Sequence, residues 1–415
     1  MSYSKVNQID KLLVVYGKNP KYFRELLSEQ IKEIVKKGYI PRVFIDIRGI
    51  FINIHDKHGK ELCRKYNNND VPAYSREIIQ IVNNWISVFK EYKLNPVIVP
   101  FAEFGTLDYH LRLEPKYKVH RKETALKDCG FKLIQESSAY INKEILATDW
   151  IFKTKGTNVC TCISENVEFD ALPHLLIKEF PEHITTFSED EEFDPYSEET
   201  PTKSERVLKN KYYNIILTKD KDISQSIDDT TVIVSKKVRG EYYVVDKNNI
   251  GTMLKLKGNI PPHWVSVALG IAGDSSDGFK GVPGLGPVAV YDFINKYYKE
   301  IDKIDKKNNY RRLVKFLSEN DFDCKIFKKF KNGVLKHKRS FSKSFMLADF
   351  DILIGAKLTK PIVEQHIEKY KRVIFSEPDI SKLSGKKDFL KDKFENKFGI
   401  KNQMKYYQII NNTLK

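Results

Sequence analysis

The first 260 residues alternate between short apolar runs and longer amphipathic segments. Apolar runs at 42–52, 95–101 and 158–164, and a fourth that begins at Tyr213, predict β-strands because they are brief and rich in β-branched residues. Between the first two runs, apolar side chains recur at helical spacing from Tyr74 to Lys93. This strand–helix–strand order predicts the α/β class, with a mostly parallel sheet flanked by helices.

Similar patterns predict the other elements. A helix is expected over 22–35, and a hairpin should pair 231–234 with 242–245. Beyond Tyr298 the chain is rich in lysine and predicted to be mostly helical. The run at 188–205 is strongly acidic with little apolar content, so we expect it to be solvated and place it outside any site.

Carboxylates follow several of the predicted strands. Asp46 lies in or at the end of the first, Glu103 near the end of the second, and Asp220 and Asp222 after the fourth. The carboxyl ends of parallel strands face the crevice where α/β sheets bind ligands, so these acids are candidates for a common site. An ordinary strand-ending turn is the alternative for Asp46.

The stretch from Gly270 to Tyr298 has the most unusual composition. Asp274 and Asp277 are three residues apart, so on a helical turn they would share one face and could hold a divalent cation. Gly286 and Pro287 favour the start of a helix, where free backbone N–H groups can bind a phosphate. The alternative is a turn between two helices with a solvated acidic corner.

The charge of the chain narrows the choice of partners. A formal charge of +16 and a pI of about 9.2 favour a polyanion, either nucleic acid or a membrane surface. No apolar run approaches the roughly 20 residues of a spanning helix, and no signal peptide is expected. The five cysteines are too few for a disulfide scaffold and favour a reduced, cytoplasmic protein, and the C-T-C pair at 160–162 is interpreted as core packing.

The sequence G-D-S-S-D-G-F-K-G-V-P-G-L-G at 273–286 closely resembles the helix–three-turn–helix motif of the 5′-nuclease, or flap endonuclease, superfamily. The resemblance covers roughly residues 42–300, and within this superfamily it extends to the bacteriophage-type 5′-3′ exonucleases. It implies a PIN-like (Rossmann-like) core with a helical arch and a helix–three-turn–helix subdomain. The expected divisions are an N-terminal extension (1–40), a nuclease core (41–256) with its arch at about 118–156, a helix–three-turn–helix region (257–360) and a basic C-terminal region (361–415).

Site residues are implied by the same resemblance. The segment V-E-F-D-A at 167–171 is similar to the acidic element of the family, although Ala171 stands where some members have a third acid. Tyr117, Lys118 and Arg121 match the base of the arch, where the Lys and Arg act on the scissile phosphate and the aromatic ring can stack on a base. The implied metal-binding acids are Asp46, Glu103, Glu168, Asp170, Asp220, Asp222, Asp274 and Asp277. The implied DNA-binding residues of the loop are Lys280, Gly281, Gly284 and Gly286.

The resemblance implies a metal-dependent, structure-specific 5′-nuclease that leaves 5′-phosphate and 3′-hydroxyl ends. Two Mg²⁺ or Mn²⁺ ions would act in the carboxylate cluster, and K⁺ would bind at the loop. The implied partner is DNA with a 5′ flap or a junction of single strand and duplex, or an RNA·DNA hybrid. We expect a monomer that acts in DNA replication or repair, in the cytoplasm and in particular that of a phage-infected bacterium.

Two alternatives remain open. The first is a DNA-binding homologue with little catalysis, which Glu103, Ala171, the N-terminal extension and the acidic run at 188–205 favour. The second is a PIN-like ribonuclease, which shares the sheet and the acids but lacks the Gly/Pro-rich loop. The retained acids count against the first alternative, and the loop counts against the second.

Overall fold

The structure, a computed structural model, describes most of the chain in ten ranges. These are 20–47, 71–105, 108–118, 158–166, 170–189, 204–236, 241–256, 258–275, 277–305 and 308–375. The predicted arch beyond residue 118, most of the acidic run and the basic region after residue 375 lie outside the described residues. Within the described ranges, no helix combines the length and apolar character needed to cross a membrane.

Eight described strands form a mixed, mostly parallel sheet. In chain order they are β1 (Ile40–Asp46), β2 (Val97–Gly105), β3 (Asn158–Val159), β4 (Cys162–Asn166), β5 (Glu182–Glu189), β6 (Ser204–Leu217), β7 (Thr231–Lys236) and β8 (Tyr242–Val245). The spatial order is β3-β2-β1-β6-β7-β8, with β4 also paired to β2 and β5 to β6. Pairs among β1, β2, β3, β4, β6 and β7 are parallel, so these strands end at one edge. The predicted fold class is confirmed.

Helices cover both faces of the sheet and continue into a helical C-terminal part. The described α-helices are α1 (Pro20–Leu26), α2 (Ser28–Lys37), α3 (Val71–Lys90), α4 (Asp108–Leu113), α5 (Leu172–Glu179), α6 (Ile250–Leu254), α7 (Val265–Ala272), α8 (Pro287–Asp302), α9 (Asn309–Glu319), α10 (Lys325–Lys336), α11 (Lys338–Ala348), α12 (Phe350–Gly355) and α13 (Lys360–Phe375). The 3₁₀ turns are Asp222–Ser226 and Pro262–Trp264.

The side chains of the central strand β1 pack into two hydrophobic clusters, one on each face of the sheet. Successive side chains of a strand point to opposite faces. Val43 and Ile45 pack with Trp85 of α3 and the N-terminal helices, whereas Phe44 packs with α5 and the C-terminal helices. The strand is therefore apolar on both faces, as a central parallel strand must be.

The predicted N-terminal helix is two helices that pack on the sheet. It is interrupted at Leu27, and α2 ends at Gly38, whose φ of 66° is the left-handed conformation that glycine favours. Phe23 packs against Trp85 of α3 with ring centroids 4.8 Å apart. Helices α1 and α2 thus contribute to the core.

Two strand predictions need correction. The third predicted strand is interrupted at 160–161 and forms β3 and β4, both of which pair with β2. The fourth strand begins at Ser204 and pairs with β5 in antiparallel register, so both ends of the acidic run at 188–205 lie in strands. The polar composition of the residues before Tyr213 hid the start of the fourth strand. Backbone pairing along the edge of a sheet does not require apolar side chains.

Helix α7 is the centre of the helical part, and each of its first seven residues is buried. It packs against α11 at Gly270, where a Cβ atom would lie 2.9 Å from the Cα of Phe345. This close approach fixes α11 beside the loop that follows α7.

Candidate metal centre

Asp46 and the residues after β6 meet at the carboxyl edge of the sheet, as predicted. Asp46 closes β1, and its Oδ2 accepts a hydrogen bond of 2.9 Å from the hydroxyl of Thr218. The same hydroxyl oxygen accepts the backbone N–H of Asp220 at 3.0 Å. Thr218 therefore links the ends of β1 and β6.

The D-x-D sequence after β6 folds as a tight turn. Asp220 Oδ1 accepts the backbone N–H of Asp222 at 3.0 Å, and Asp222 opens the 3₁₀ turn Asp222–Ser226. Because Asp222 is buried, this turn directs its carboxylate into the protein instead of into solvent.

Asp274 and Asp277 lie in a loop, so the predicted shared helical face is wrong. Helix α7 ends at Ala272, and the backbone groups of Asp274 and Phe279 exchange two hydrogen bonds of 3.1 Å. The loop closes tightly because Gly273 and Gly281 have no side chains: a Cβ on Gly281 would lie 2.4 Å from the N of Gly273. Both acids are buried by this closure.

The loop nevertheless brings its two acids to Asp222. One carboxylate oxygen from each of Asp222, Asp274 and Asp277 lies within 4.8 Å of the other two. Asp222 Oδ1 is buried and has no hydrogen-bond partner among the described residues. A buried carboxylate oxygen without a donor is costly, and hard divalent cations prefer oxygen ligands, so this donor set fits Mg²⁺ or Mn²⁺.

Burial and the repulsion of neighbouring carboxylates raise the pKa values of Asp220 and Asp222. For Asp222 the main cause is loss of solvation, followed by the charges of Asp220, Asp277 and Asp274, and the pKa lies well above its ordinary value. Burial, together with Asp170 and Asp277, raises the pKa of Asp220 to about 7. The cluster concentrates negative charge that a divalent cation would neutralise.

Lys118 enters the cluster from the segment after α4. Its Nζ lies 3.5 Å from Asp277 Oδ2 and 3.9 Å from Asp170 Oδ2, and the residue is only 7% exposed. Its φ of 53° is unusual for a lysine, and its backbone N–H donates to the carbonyl of Asp277 at 3.1 Å. The surrounding structure therefore holds this cation beside the acids.

Tyr117 is not placed where its predicted base-stacking role requires. Its ring is 2% exposed and stacks on His110, with centroids 4.5 Å apart, while its hydroxyl contacts Asp277 Oδ2 at 3.3 Å. An aromatic ring covered in this way presents no face to a base.

For three predicted site residues, the structure does not describe the side chain. Glu168 and Arg121 lie outside the described residues, and Glu103 is described only by its backbone, in β2 beside Ser164. Asp170, two residues before α5, is the acid of the V-E-F-D-A element that the structure describes.

The Gly/Pro-rich loop turns its glycines outward on a buried base. Val282 and Leu285 are buried, whereas Lys280, Gly284 and Gly286 are exposed. Gly284 has a φ of 79°, and a Cβ on Gly286 would meet no atom within 4 Å. Helix α8 begins at Pro287, as predicted, so the first-turn N–H groups of a 16-residue helix open beside this exposed backbone. Gly281 differs, because it is needed for the crossing with Gly273.

Sequence reasoning missed the role of Lys221. Its Nζ lies 2.7 Å from Asp274 Oδ2, which is almost fully buried. The position of this lysine between the two acids of D-K-D indicates that it could pair with a carboxylate. That the carboxylate is Asp274 depends on the tertiary fold. Lys221 thus neutralises a carboxylate that a metal would also use.

Replacing Lys221 with methionine is expected to tighten metal binding. Methionine keeps an unbranched stem but removes the ammonium that competes for Asp274, so the dissociation constant for Mn²⁺ should fall by at least about fivefold. Calorimetric titration of the metal-free protein measures this. Lys211→Met removes an exposed charge on β6 and should leave the affinity unchanged. Equal affinities for Lys221→Met and the wild type would exclude this competition.

Comparison with known proteins gives one relative by sequence. A 5′-3′ exonuclease of Buchnera aphidicola subsp. Baizongia pistaciae (strain Bp) is 28% identical over 111 residues, which are 25% of this chain. The match spans only about a third, 34%, of the length of that relative. No family model matches the chain. The relative bears the name of the class that the motifs resemble, so the predicted resemblance is confirmed.

Comparison of structures returns proteins of similar names. A T5 5′-exonuclease with bound zinc ions is 14% identical, with a TM-score of 0.48, over 79% of this chain and 98% of that one. A bacteriophage T5 flap endonuclease in complex with DNA and metal ions is 13% identical, with a TM-score of 0.45, over 80% and 99% of the two chains. The catalytic core of Rad2 in complex with a DNA substrate is 11% identical, with a TM-score of 0.34, over 86% and 99%.

Proposed function

We propose that this protein is a metal-dependent, structure-specific 5′-nuclease of the flap endonuclease superfamily that hydrolyses DNA. The observation that carries the proposal is the buried group Asp222, Asp274 and Asp277, in which Asp222 Oδ1 lacks a hydrogen-bond donor among the described residues. Lys118 lies beside these acids at the carboxyl edge of a parallel sheet, where α/β proteins bind ligands. The similarity to a named 5′-3′ exonuclease agrees with this assignment.

The acids divide into two groups around the proposed site. Asp46 and Asp170, with Glu168 from outside the described residues, are proposed to hold a first Mg²⁺ or Mn²⁺ ion. Asp220, Asp222, Asp274 and Asp277 are proposed to hold or extend a second, and Glu103 to support either. Bound metal would supply an activated water and charge neutralisation for phosphodiester hydrolysis.

Lys118 is proposed to orient the scissile phosphate and to stabilise the charge that develops on it. An ammonium held in a buried, rigid position needs little reorganisation as the charge develops, which makes it effective. Arg121 is proposed to assist from the same segment. The products would be a 5′-phosphate and a 3′-hydroxyl.

The exposed Gly/Pro-rich loop is proposed to bind the duplex. Gly284 and Gly286 leave space for a phosphate to approach the backbone, and the start of α8 offers N–H groups and a favourable helix dipole. Lys280 adds a positive charge on the same exposed surface, and K⁺ is proposed to bind at the loop carbonyls. Such contacts position DNA without reading its sequence.

With a duplex-binding loop beside the carboxylates, cleavage should depend on substrate structure. We expect 5′ flaps or overhangs to be cleaved near the junction at least about tenfold faster than 3′ flaps, because a single strand must reach the metals while the loop holds the duplex. Initial rates on matched oligonucleotides with Mg²⁺, and with a chelator in place of Mg²⁺, measure this preference. Attaching a bulky protein to the 5′ end before enzyme is added should slow cleavage.

The same assay separates the alternative functions. Equal cleavage of 3′ flaps, or full activity on a blocked 5′ end, would exclude threading of a free 5′ end but not metal-dependent hydrolysis. Faster cleavage of single-stranded RNA than of any DNA substrate would favour a PIN-like ribonuclease. Tight DNA binding without metal-dependent cleavage would favour a binding homologue.

A further inference from the structure

The side chain of Gln225 joins two distant parts of the chain. Its Nε2 donates to the carbonyls of Asp222 at 2.8 Å and Ala348 at 3.0 Å, and its Oε1 accepts the backbone N–H of Phe350 at 3.0 Å. The amide therefore pairs donors with acceptors in the only orientation that satisfies all three contacts. Residues 222–226 and 348–350 are held together by this one side chain.

Ala348 and Phe350 belong to the corner between α11 and α12, the S-F-M-L-A-D-F-D segment at 344–351. Asp349 caps α12 by accepting the N–H of Ile352 at 3.0 Å and also accepts the hydroxyl of Ser266 in α7 at 2.9 Å. Ser344 donates to the carbonyl of Lys280 at 2.7 Å. The corner is therefore fixed both to the helix that leads into the Gly/Pro-rich loop and to the loop itself.

A second contact ties the other end of the 3₁₀ turn to the same corner. His174 of α5 lies between Ser226 Oγ, at 3.1 Å from its Nδ1, and Asp351 Oδ1, at 3.0 Å from its Nε2. The turn that begins at Asp222 is thus held against the corner by Gln225 and at Ser226. The carboxylate of Asp222 extends from this turn and ends in the unpartnered Oδ1.

We propose that Gln225 is a positioning residue, through which the α11–α12 corner sets the Asp222 carboxylate for metal binding. The inference rests on the proposed function and adds a residue outside the carboxylate cluster to it. A carboxylate at the start of a short turn can rotate away when its backbone carbonyl is released. Groups that hold a ligand in place typically affect metal affinity by 10–100-fold.

The test compares Gln225→Met with Thr359→Val in the full-length chain. Methionine has a similar length and shape but makes none of the three hydrogen bonds. Thr359 is fully buried in the turn between α12 and α13 and donates to the carbonyls of Leu353 and Ala356, so its replacement by valine removes buried hydrogen bonds without touching Asp222. Both variants should lose some thermal stability.

Metal affinity separates positioning from general support. Titration of the metal-free proteins with Mn²⁺, without DNA and at a temperature where all are folded, should give about a tenfold weaker dissociation constant for Gln225→Met and no change for Thr359→Val. Single-turnover cleavage by Gln225→Met should recover towards the wild-type rate as Mn²⁺ is raised. Duplex affinity measured without metal should stay the same.

Each contrary result has a separate meaning. Unchanged Mn²⁺ affinity in Gln225→Met would overturn the positioning role while leaving the proposed nuclease intact. Equal weakening in both variants would reduce Gln225 to a general support of the corner and also overturn the proposal. Failure of the wild type itself to bind Mn²⁺ would remove the proposed function together with this inference.

Discussion

Replacing Asp222 with asparagine is expected to abolish cleavage and, at the same time, to stabilise the metal-free protein. Burial and the charges of Asp220, Asp277 and Asp274 raise the pKa of Asp222, which means that the ionised carboxylate is unfavourable in the folded state. Asparagine removes that charge at nearly constant volume. It also removes a charged oxygen from the proposed metal site, so the cleavage rate should fall by at least about 10³-fold.

Three measurements test this result: single-turnover cleavage with Mg²⁺, thermal unfolding with and without Mn²⁺, and DNA binding in a chelator. The midpoint of unfolding should rise for the metal-free variant, and its further rise with Mn²⁺ should shrink. DNA binding should be equal or tighter, because repulsion of phosphate decreases. Asp305→Asn, which removes an exposed charge, should change none of these. Wild-type turnover in Asp222→Asn would exclude Asp222 from the site.

Replacing Lys118 with methionine is expected to slow the chemical step far more than it weakens DNA binding. The Lys118 ammonium lies 3.5 Å from Asp277 and is largely buried, so in the proposed reaction its charge would act locally on the phosphate. Loss of one such preorganised group typically costs about 10²–10³-fold in rate. Its effect on affinity should be only a few-fold, since the chain carries 71 lysines and arginines and binding is shared among many contacts.

Single-turnover rates and equilibrium binding, measured on the same 5′-flap substrate, distinguish these effects. Lys116→Met is the matched control, because it removes the same charge from an exposed position two residues away. The control should keep the wild-type rate and show a similar small loss of affinity. If Lys118→Met instead binds DNA much more weakly and cleaves bound DNA at the wild-type rate, Lys118 serves only as a backbone contact.

Much of the sheet and part of the site could be predicted because short-range pattern controls them. Apolar runs bounded by polar residues identified β1, β2 and β6, and a central strand must be apolar on both faces. The order of strands placed Asp46 and the D-x-D acids at one edge, since parallel strands end together. The start of α8 at Pro287 followed from the fixed φ of proline and its missing N–H group.

Other features depend on contacts that the local sequence pattern does not predict. Asp274 and Asp277 were expected on a helix, but the crossing of Gly273 and Gly281 folds them into a loop instead. Tyr117 turned inward because its hydroxyl meets Asp277, which lies 160 residues further along the chain. Neither contact leaves a trace in local periodicity.

By itself, the sequence determined the α/β class, the edge at which the strand-ending acids gather, and a basic surface suited to a polyanion. Only the tertiary structure decided that Asp222 would lack a hydrogen-bond donor among the described residues, that Lys221 would pair with Asp274, and that Gln225 would clamp the turn to the α11–α12 corner. The physical reason is the distance along the chain over which each kind of interaction acts. Backbone preference and hydrophobic periodicity act over a few residues, whereas these contacts join residues 53 to 125 positions apart or depend on burial by such contacts.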